Sequence, residues 1–269
     1  MSLLGTKGPH KINNFILAAV IILFTAVISV LYSSGLFTTE TFQENGDSYV
    51  NLRINGEGFT YSPNGGVSKG YTPYKIQDET TCIAEESGKF MFVNENGEKS
   101  ALTLSGLLTD TSKSSSDGKY TLVLGEEGVL YNIKIWDGKP QTYVEIDTDI
   151  ASASFTGRKN DIVYTKNDSS LYYFSGSYKN KEENAVKEFE VADGSMNVFY
   201  IRGEDKGKLI MFNVGKKTEI DDNVYDIKFS GGTLFYIKNF DKKDNAGELF
   251  YFNGKESVPA NVRAEILLD

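Results

Sequence analysis

The chain has 269 residues, and its 28 Lys and Arg side chains against 37 Asp and Glu side chains give a formal net charge of −9. Nucleic acid is excluded as a partner, because a polyanion is bound by clustered basic side chains. The arginines here are scattered at Arg53, Arg158, Arg202 and Arg263. The composition, 40% hydrophobic with 26 Gly and 5 Pro, is typical of a β-rich globular protein.

One histidine and one cysteine narrow the possible chemistry. His10 lies before the first apolar run, so the remainder of the chain has no imidazole for a catalytic triad, a general base or a His-ligated zinc ion. Cys82 is the single cysteine, which excludes a disulfide within the chain. We therefore predict no catalytic residue of these types, no metal ion and no cofactor.

An apolar run near the N-terminus predicts a transmembrane helix. No charged residue occurs between Lys11 and Glu40, and Phe15–Tyr32 is continuously rich in apolar side chains. A helix rises ~1.5 Å per residue, so this run spans about 27 Å, close to the ~30 Å hydrocarbon thickness of a bilayer. A cleaved signal peptide is the alternative, since residues 33–35 are small, but the run contains no Ala-x-Ala site.

The charges that flank this run predict its orientation. Residues 1–39 carry Lys7 and Lys11 and no acid, and positive residues stay on the cytoplasmic side. We therefore predict a single-pass protein of the cell membrane with an extracytoplasmic C-terminal domain. Its predicted parts are a cytoplasmic tail (1–11), a transmembrane helix (12–34), a linker (35–47) and an ectodomain (48–269).

The ectodomain repeats with a period near forty residues. Five apolar runs share one pattern, and their second residues are separated by 40, 41, 38 and 40 positions: Phe90, Leu130, Leu171, Leu209 and Leu249. A sixth, fainter copy is Gly58–Ser62. Another β-rich run precedes each of the six across a turn, at Tyr49–Ile54, Thr81–Ala84, Tyr120–Leu124, Asp161–Thr165, Asn197–Ile201 and Thr233–Ile237. These pairs predict hairpins.

Inner-strand candidates precede three of the hairpins, at Asp149–Phe155, Asn184–Phe189 and Asn223–Ile227. With a short strand after each hairpin, each repeat of about forty residues has four strands, as a β-propeller blade does. The first hairpin has no inner strand before it, whereas Val262–Leu268 resembles an inner strand and is followed by no hairpin. We therefore predict an all-β fold, a six-bladed β-propeller that the C-terminal strand closes by pairing with Tyr49–Ile54.

One segment resembles a known family. Ser115-Ser-Asp-Gly-Lys-Tyr-Thr-Leu-Val123 is similar to the Ser-Pro-Asp-Gly-Lys segment of TolB-like propeller repeats, with Ser116 where that family has Pro. An anchor followed by such a propeller also resembles uncharacterised membrane-anchored propeller proteins of Gram-positive, clostridia-like bacteria. This resemblance implies a β-propeller and a location at the bacterial membrane, without implying an activity.

Two classes of function stay open. Paired carboxylates can perform acid and base catalysis without histidine, and Asp147 with Asp149, or Asp221 and Asp222 with Asp226, are the candidates; solvated acidic turns are the alternative explanation. Asp241–Glu248 is rich in acids and amides but breaks the spacing of an EF-hand, and it predicts a hairpin loop.

We favour a non-catalytic binding or scaffold module for a protein, peptide or glycan ligand. The alternative is a cell-envelope hydrolase or lyase that uses carboxylates at the mouth of the propeller channel. Under either function, the predicted contact positions are in the loops that enter the inner strands: Tyr71, Tyr74, Asp147, Asp149, Glu183, Asn184, Asp221, Asp222 and Asn223.

Overall fold

The structure is a computed structural model that describes residues 48–72, 82–157, 161–176, 178–192, 195–213 and 215–268. The predicted tail, transmembrane helix (12–34) and linker lie outside these residues, as does Tyr74. In the described ranges no helix is long and apolar enough to cross a membrane. Regular structure in these ranges consists of 22 β-strands.

Four of the sheets are separate and antiparallel. The first contains β1 (Val50–Ile54), β2 (Glu57–Ser62), β3 (Gly66–Lys69) and the C-terminal β22 (Ile266–Leu268). The second contains β4 (Ile83–Glu86), β5 (Lys89–Val93) and β6 (Lys99–Ala101). The third contains β7 (Leu107–Ser114), β8 (Tyr120–Gly125), β9 (Leu130–Trp136) and β10 (Lys139–Asp147). The fourth contains β11 (Ile150–Phe155), β12 (Asp161–Lys166), β13 (Leu171–Ser175) and β14 (Tyr178–Glu183).

A fifth sheet has seven strands: β15 (Val186–Val191), β16 (Val198–Arg202), β17 (Gly207–Asn213), β18 (Lys216–Ser230), β19 (Thr233–Asp241), β20 (Ala246–Phe252) and β21 (Ser257–Ala264). The 15-residue β18 divides it, because residues up to Val224 pair with β17 and residues from Val224 onward pair with β19. The seven strands therefore form two four-stranded units that share β18. We number the units 1 to 6 in chain order, with units 5 and 6 in this sheet.

The second strand of a unit is the most buried. Residues 161–165 of β12 and residues 233–237 of β19 are buried without interruption. Their β-branched and aromatic side chains favour strands, and burial on both faces requires a neighbouring sheet on each side. Tight turns separate the strands; Asn55 and Gly56, for example, have φ angles of 50° and 78°, as a two-residue hairpin turn requires.

Hydrophobic clusters join neighbouring units face to face. Five clusters of buried side chains connect unit 2 to 3, 3 to 4, 4 to 5, 5 to 6 and 6 to 1. In β12, Tyr164 belongs to the cluster shared with unit 3, whereas the adjacent Val163 belongs to the cluster shared with unit 5. This alternation follows from the two-residue period of a strand. The core is therefore a series of layers between consecutive sheets.

The C-terminal strand completes the first sheet. Strand β22 pairs antiparallel with β1, with Leu52 opposite Leu267 and Arg53 opposite Ile266. This pairing confirms the predicted partner of the C-terminal segment, but the predicted extent, Val262–Leu268, is wrong at its start. Residues 262–264 still belong to β21, because the ladder with β20 continues as far as the pair formed by Gly247 and Ala264.

The predicted repeat lies on equivalent strands. Leu130, Leu171, Leu209 and Leu249 each lie on the third strand of a unit, and Phe90 lies on β5, the middle of the three described strands of unit 2. All five are buried. Unit 2 has three described strands, and the residues that precede β4 lie outside the described part of the chain. The described residues thus have an all-β, repeat-like fold, and their four-stranded antiparallel units have the topology of β-propeller blades.

Candidate functional site

The turns that lead from one unit to the next form a connected rim. Asn167 donates its backbone N–H to the carbonyl of Asp149 (3.0 Å), and Gly203 donates its backbone N–H to the carbonyl of Ala185 (2.7 Å). Asp149, Ala185 and Asn223 occupy equivalent turns with φ angles of 64°, 53° and 55°. The left-handed backbone turns the chain sharply between the outer strand of one unit and the inner strand of the next. This rim contains most of the predicted contact positions.

Asp147, at the end of β10, is bound by three side chains of unit 4. Its carboxylate accepts hydrogen bonds from the Tyr164 hydroxyl (2.9 Å) and from Lys166 Nζ (2.9 Å), and Lys179 Nζ lies 3.1 Å away. Burial raises the pKa of this carboxyl, but the bonds from Lys166, the backbone of Thr148, Tyr164 and Lys179 outweigh it and lower the pKa to about 2. Asp147 is therefore a partly buried anion that joins units 3 and 4.

Glu183, at the end of β14, repeats this arrangement between units 4 and 5. Its Oε2 lies 3.2 Å from the Tyr200 hydroxyl, 3.4 Å from an Arg202 guanidinium nitrogen and 3.5 Å from Lys217 Nζ. Burial raises the pKa of Glu183, and the hydrogen bond from the backbone of Asn184 and the two cations lower it further than burial raises it. The net pKa is below the ordinary value, so this acid is ionised at neutral pH.

Asp221, within β18, is the third member of the series. The Tyr236 hydroxyl donates to its Oδ2 at 2.8 Å, and Lys238 forms an ion pair with its Oδ1. Asp222 follows it with a side chain that is 62% exposed and lies 3.7 Å from Lys238 Nζ. Of these two adjacent acids, only Asp222 faces mainly solvent.

The three sites share a pattern that sequence reasoning missed. Tyr164, Tyr200 and Tyr236 are 36 residues apart, and each is followed two positions later by a cation: Lys166, Arg202 and Lys238. Burial, together with the neighbouring carboxylate, raises the pKa of all three tyrosines, so their hydroxyls stay protonated donors. The regular Tyr-x-Lys/Arg spacing was visible in the sequence. The sequence did not show which acids pair with these tyrosines, because the acids lie 15 to 17 residues upstream in the preceding unit. We call each set the Tyr–acid–cation link.

The predicted contact positions therefore have different roles. Asp147, Glu183, Asp221, Asp222 and Asn223 lie in strands rather than in loops, which corrects the prediction that all of them are loop residues. Asp221, Asp222 and Asn223 lie in a strand because β18 continues where its pairing changes from β17 to β19. A bulge and the left-handed backbone of Asn223 allow this change.

The remaining predicted positions are more exposed. Asp149 Oδ1 accepts a hydrogen bond from the Asn167 side-chain amide (2.7 Å), and Asn184 donates its backbone N–H to Glu183 Oε1 (3.2 Å). Tyr71 follows β3 with its ring over Gly58, where no side chain would fit, and it is 54% exposed. These groups lie where a ligand could reach them.

Two further carboxylates lie on adjacent inner strands. Glu188 of β15 accepts the backbone N–H of Ile227 (3.1 Å), and Asp226 of β18 accepts the backbone N–H of Leu267 (2.8 Å). Each carboxylate thus bonds to the inner strand of the following unit. Burial and the charge of Asp226 raise the pKa of Glu188 to about 8, and burial raises the pKa of Asp226.

Sequence reasoning found only one of this pair. Asp226 was among the catalytic candidates, whereas Glu188 was not, although both lie two residues after the first buried residue of an inner strand, Val186 or Val224. Aligning the two inner strands on Val186 and Val224 would therefore have identified Glu188 as the counterpart of Asp226. Among the described residues, no group of three His, Cys, Asp or Glu side chains could hold a metal ion.

A cavity of about 370 Å³ lies near the ring-closing strands, lined by Ile54, Asn55, Asp244, Ala246, Arg263 and Glu265. Arg263 pairs with Asp244 at 3.3 Å, and Glu265 Oε1 accepts the backbone N–H of Gly56 at 2.9 Å. All three ionic side chains of this cavity, Asp244, Arg263 and Glu265, are therefore engaged with protein atoms. None of the predicted contact positions lines this cavity.

No family model and no curated relative matches the sequence. Solved structures with similarity include Kluyveromyces lactis Hsv2 with its complete loop 6CD, at 15% identity and a TM-score of 0.39, covering 57% of this chain and 48% of that chain. The N-terminal domain of Nup159 has 9% identity and a TM-score of 0.43, with coverages of 66% and 57%. The dihydro-heme d1 dehydrogenase NirN in complex with DHE has 11% identity and a TM-score of 0.45, with coverages of 80% and 55%. The chain spans about half the length of each.

Proposed function

We propose that the six units are the blades of a six-bladed β-propeller that β22 closes, and that the protein is a non-catalytic binding module. In this proposal, residues 12–34 anchor the chain in the cell membrane and the propeller faces the extracytoplasmic side. The ligand is a protein, peptide or glycan that contacts the rim. One observation supports the choice of binding over catalysis: the partly buried rim acids Asp147, Glu183 and Asp221 are already engaged in Tyr–acid–cation links.

Carboxylate catalysis requires a pair of acids with separated roles, one of them protonated near the working pH. The pKa values of Asp147 and Glu183 are instead lowered, and both carboxylates are paired with cations of the next unit. The rim groups left for a ligand are exposed amides, carboxylates and an aromatic ring: Tyr71, Asp149, Asn184, Asp222 and Asn223. Such groups are suited to hydrogen bonding and stacking.

The test of this proposal is a screen of the full chain, in detergent or nanodiscs, against peptide and glycan arrays. The variant Asn184→Ala/Asp222→Ala removes two exposed rim side chains and leaves the tyrosine, acid and cation of every link in place. The matched control, Lys255→Ala/Glu256→Ala, changes two exposed residues in the turn between β20 and β21. We expect a ligand bound by the wild type and the control but lost by the rim variant. Binding that survives the rim variant unchanged contradicts a rim site.

The membrane part of the proposal rests on the uncharged run and on the two lysines before it. Protease treatment of intact cells should remove an epitope placed after residue 40 and leave an epitope placed before Lys11. A protected C-terminal epitope contradicts the orientation. A mature N-terminus near Leu36 supports the signal-peptide alternative instead.

A hydrolase or lyase is the second candidate function, and the Glu188–Asp226 pair is the observation that favours it. A pKa near 8 keeps Glu188 protonated at neutral pH, as a general acid requires. Against this, each carboxylate accepts a backbone hydrogen bond of the next inner strand. Turnover of envelope glycans by the wild type, lost in Glu188→Gln and in Asp226→Asn while both variants stay folded, would establish the enzyme.

A further inference from the structure

The outer strands of units 3 and 4 face each other across a junction whose inner part is apolar. Leu130 of β9 and Ile146 of β10 belong to the same buried cluster as Tyr164 and Phe174 of unit 4. Side chains two apart in a strand share a face. The face of unit 3 that carries Leu130 is therefore the face that meets unit 4.

The face of unit 3 that meets unit 4 forms one wall of this junction. Side chains on this wall are buried near Leu130 and exposed nearer the outer strand β10. Lys134 and Trp136 share the face of Leu130 on β9, and Val144 of β10 lies opposite Asn132 of that same face. Trp136 is 67% exposed and Val144 is 57% exposed. This wall therefore presents apolar surface and a lysine to solvent, immediately outside the buried cluster.

The wall formed by unit 4 is basic. Lys179 of β14 lies opposite Phe174, and Lys181 lies opposite Tyr172, so both lysines are on the face that meets unit 3. Lys181 Nζ lies 5.9 Å from the centre of the Tyr172 ring. We call the space between the two walls the 3–4 groove.

The 3–4 groove has an excess of positive charge. Its lysines are Lys134, Lys139, Lys166, Lys179 and Lys181. Its carboxylates are Asp147, which binds two of these lysines, Asp149, which accepts a hydrogen bond from Asn167, and Asp168, which lies beside Lys166 and Lys181. The balance of these groups is 5 − 3 = +2, in a chain whose formal net charge is −9.

The junction of units 4 and 5 has the same architecture without this excess. Its cations are Arg202, Lys208 and Lys217, and its carboxylates are Glu182, Glu183 and Glu219. The balance is 3 − 3 = 0. A Tyr–acid–cation link alone therefore does not require the additional lysines of the 3–4 groove.

Charge complementarity and exposed apolar surface together define a ligand. Resting on the proposed function of a binding module, we propose that the 3–4 groove binds an acidic, extended segment of a partner protein. Its carboxylates would pair with Lys134, Lys179 and Lys181, and its apolar side chains would cover Trp136 and Val144. Strand β10 is the outermost strand of its sheet, so its outer edge has no neighbour among the described strands and can bond to an extended backbone.

Trp136 is the single tryptophan of the chain, so fluorescence excited at a wavelength that tyrosine does not absorb reports on this groove. The probe is a synthetic octapeptide that alternates Glu and Val, titrated into the full chain in nanodiscs. The peptide in which Lys replaces Glu and inorganic polyphosphate are the comparison probes. We expect the acidic peptide to shift Trp136 emission to shorter wavelength, with binding that weakens as salt rises because exposed charge pairs are screened.

The decisive variant is Lys179→Gln/Lys181→Gln, and its matched control is Lys208→Gln/Lys217→Gln, which removes the same charge from the balanced junction. We expect the first variant to weaken peptide binding about tenfold and the control to change it less than about twofold. Equal effects of the two variants, or an unchanged Trp136 emission, overturn the proposal that the 3–4 groove binds the peptide. Polyphosphate binding that is as tight and equally sensitive to the lysine variant also overturns it, because a generic polyanion site would explain that result.

The rim variant Asn184→Ala/Asp222→Ala separates this proposal from the function on which it rests. Peptide binding that is lost in the rim variant but retained in Lys179→Gln/Lys181→Gln supports a binding module and overturns the groove. Peptide binding that shows the reverse pattern supports the groove. The octapeptide failing to bind the wild type overturns the groove, while the array screen still decides the binding module.

Discussion

The last three units and the first three units attach to their neighbours in different ways. At equivalent ladder positions of the second strand, units 4, 5 and 6 have Tyr164, Tyr200 and Tyr236, each linked to a carboxylate of the preceding unit. Units 1, 2 and 3 have Leu52, Ala84 and Val123 at that position. The junctions that precede units 4, 5 and 6 thus combine an apolar layer with a Tyr–acid–cation link. The junctions of unit 2 with unit 3 and of unit 6 with unit 1 have an apolar layer without such a link.

The difference shows what a buried tyrosine requires. Its ring fills the layer between two sheets, but its hydroxyl must find a hydrogen-bond partner there. A carboxylate at the end of the preceding outer strand supplies this partner, and a cation two residues after the tyrosine neutralises the carboxylate. Leu52 and Val123 need no partner, so the first three units carry neither the acid nor the cation at these places.

The largest expected effect comes from breaking the closure of unit 1, which has no Tyr–acid–cation link and relies on β22. Deleting residues 265–269 removes ladder bonds worth about 0.5–1.5 kcal/mol each and the buried side chain of Leu267, worth about 1.5–3 kcal/mol. It also removes the N–H that Asp226 binds. Against a total stability of typically ~5–15 kcal/mol, we expect aggregation or a much lower midpoint of thermal unfolding. The control Ile266→Thr, at an exposed position of β22, should melt near the wild type; a deletion that melts there too contradicts closure.

The next largest effect should come from removing the acid of one link. Asp147→Asn leaves Lys166 and the Tyr164 hydroxyl without their anion in a mostly buried place, so we expect a loss of about 1–3 kcal/mol in urea unfolding at pH 7. The folded pKa of Asp147 is lowered to about 2, so its contribution is present above the ordinary pKa and is lost as the pH falls towards 2. The variant should therefore differ less from wild type at pH 2 than at pH 7. The exposed Asp222→Asn is the control, and equal losses in both variants would contradict the link.

An opposite pH dependence should appear at the inner strands. The pKa of Glu188 is raised to about 8, so its protonated form stabilises the fold below its ordinary pKa, and this stability is lost as the pH rises through 8. We expect Glu188→Gln to be more stable than wild type at pH 9, with the difference disappearing near pH 4. Urea unfolding at several pH values measures this, with Glu190→Gln on the same strand as control. A wild type whose stability rises steadily from pH 5 to pH 9 would be incompatible with this assignment.

The smallest effect should come from exposed ion pairs of the same half. Lys208 and Glu219 lie 2.8 Å apart, but both side chains are about half exposed. Exposed pairs contribute about 0–1 kcal/mol, so Lys208→Ala should change the free energy of unfolding by less than about 0.5 kcal/mol. A double-mutant cycle with Glu219→Ala checks the pair energy. A coupling as large as that between Asp147 and Lys166 would remove the distinction between buried links and surface pairs.

Much of the fold follows from local patterns in the sequence. The recurring apolar runs, such as Lys208–Phe212, become the third strands, and the unpartnered C-terminal run pairs with β1 as predicted. These features depend on local apolar patterning and on turn residues. The membrane helix, its orientation and the number of blades stay predictions.

The chemistry of the rim was less accessible to sequence reasoning, because it depends on contacts between units. The carboxylate of Asp147 gave no sign that it would be held by Tyr164 and Lys179 on another sheet. Equally, the raised pKa of Glu188 depends on burial and on Asp226, 38 residues away along the chain. The sequence therefore indicated that acids lie near the connections between units, but it could not distinguish acids held in links from exposed ones.

The uninterrupted course of β18 has a consequence for how the molecule opens. Between units 3 and 4, and between units 4 and 5, two residues outside the strands separate the sheets, so the end of one sheet can fray without moving the next. Between units 5 and 6 one backbone belongs to both ladders, and pulling it away from β17 also disturbs its pairing with β19. Amide protons of these two units should therefore exchange with solvent together, as a single cooperative element of seven strands.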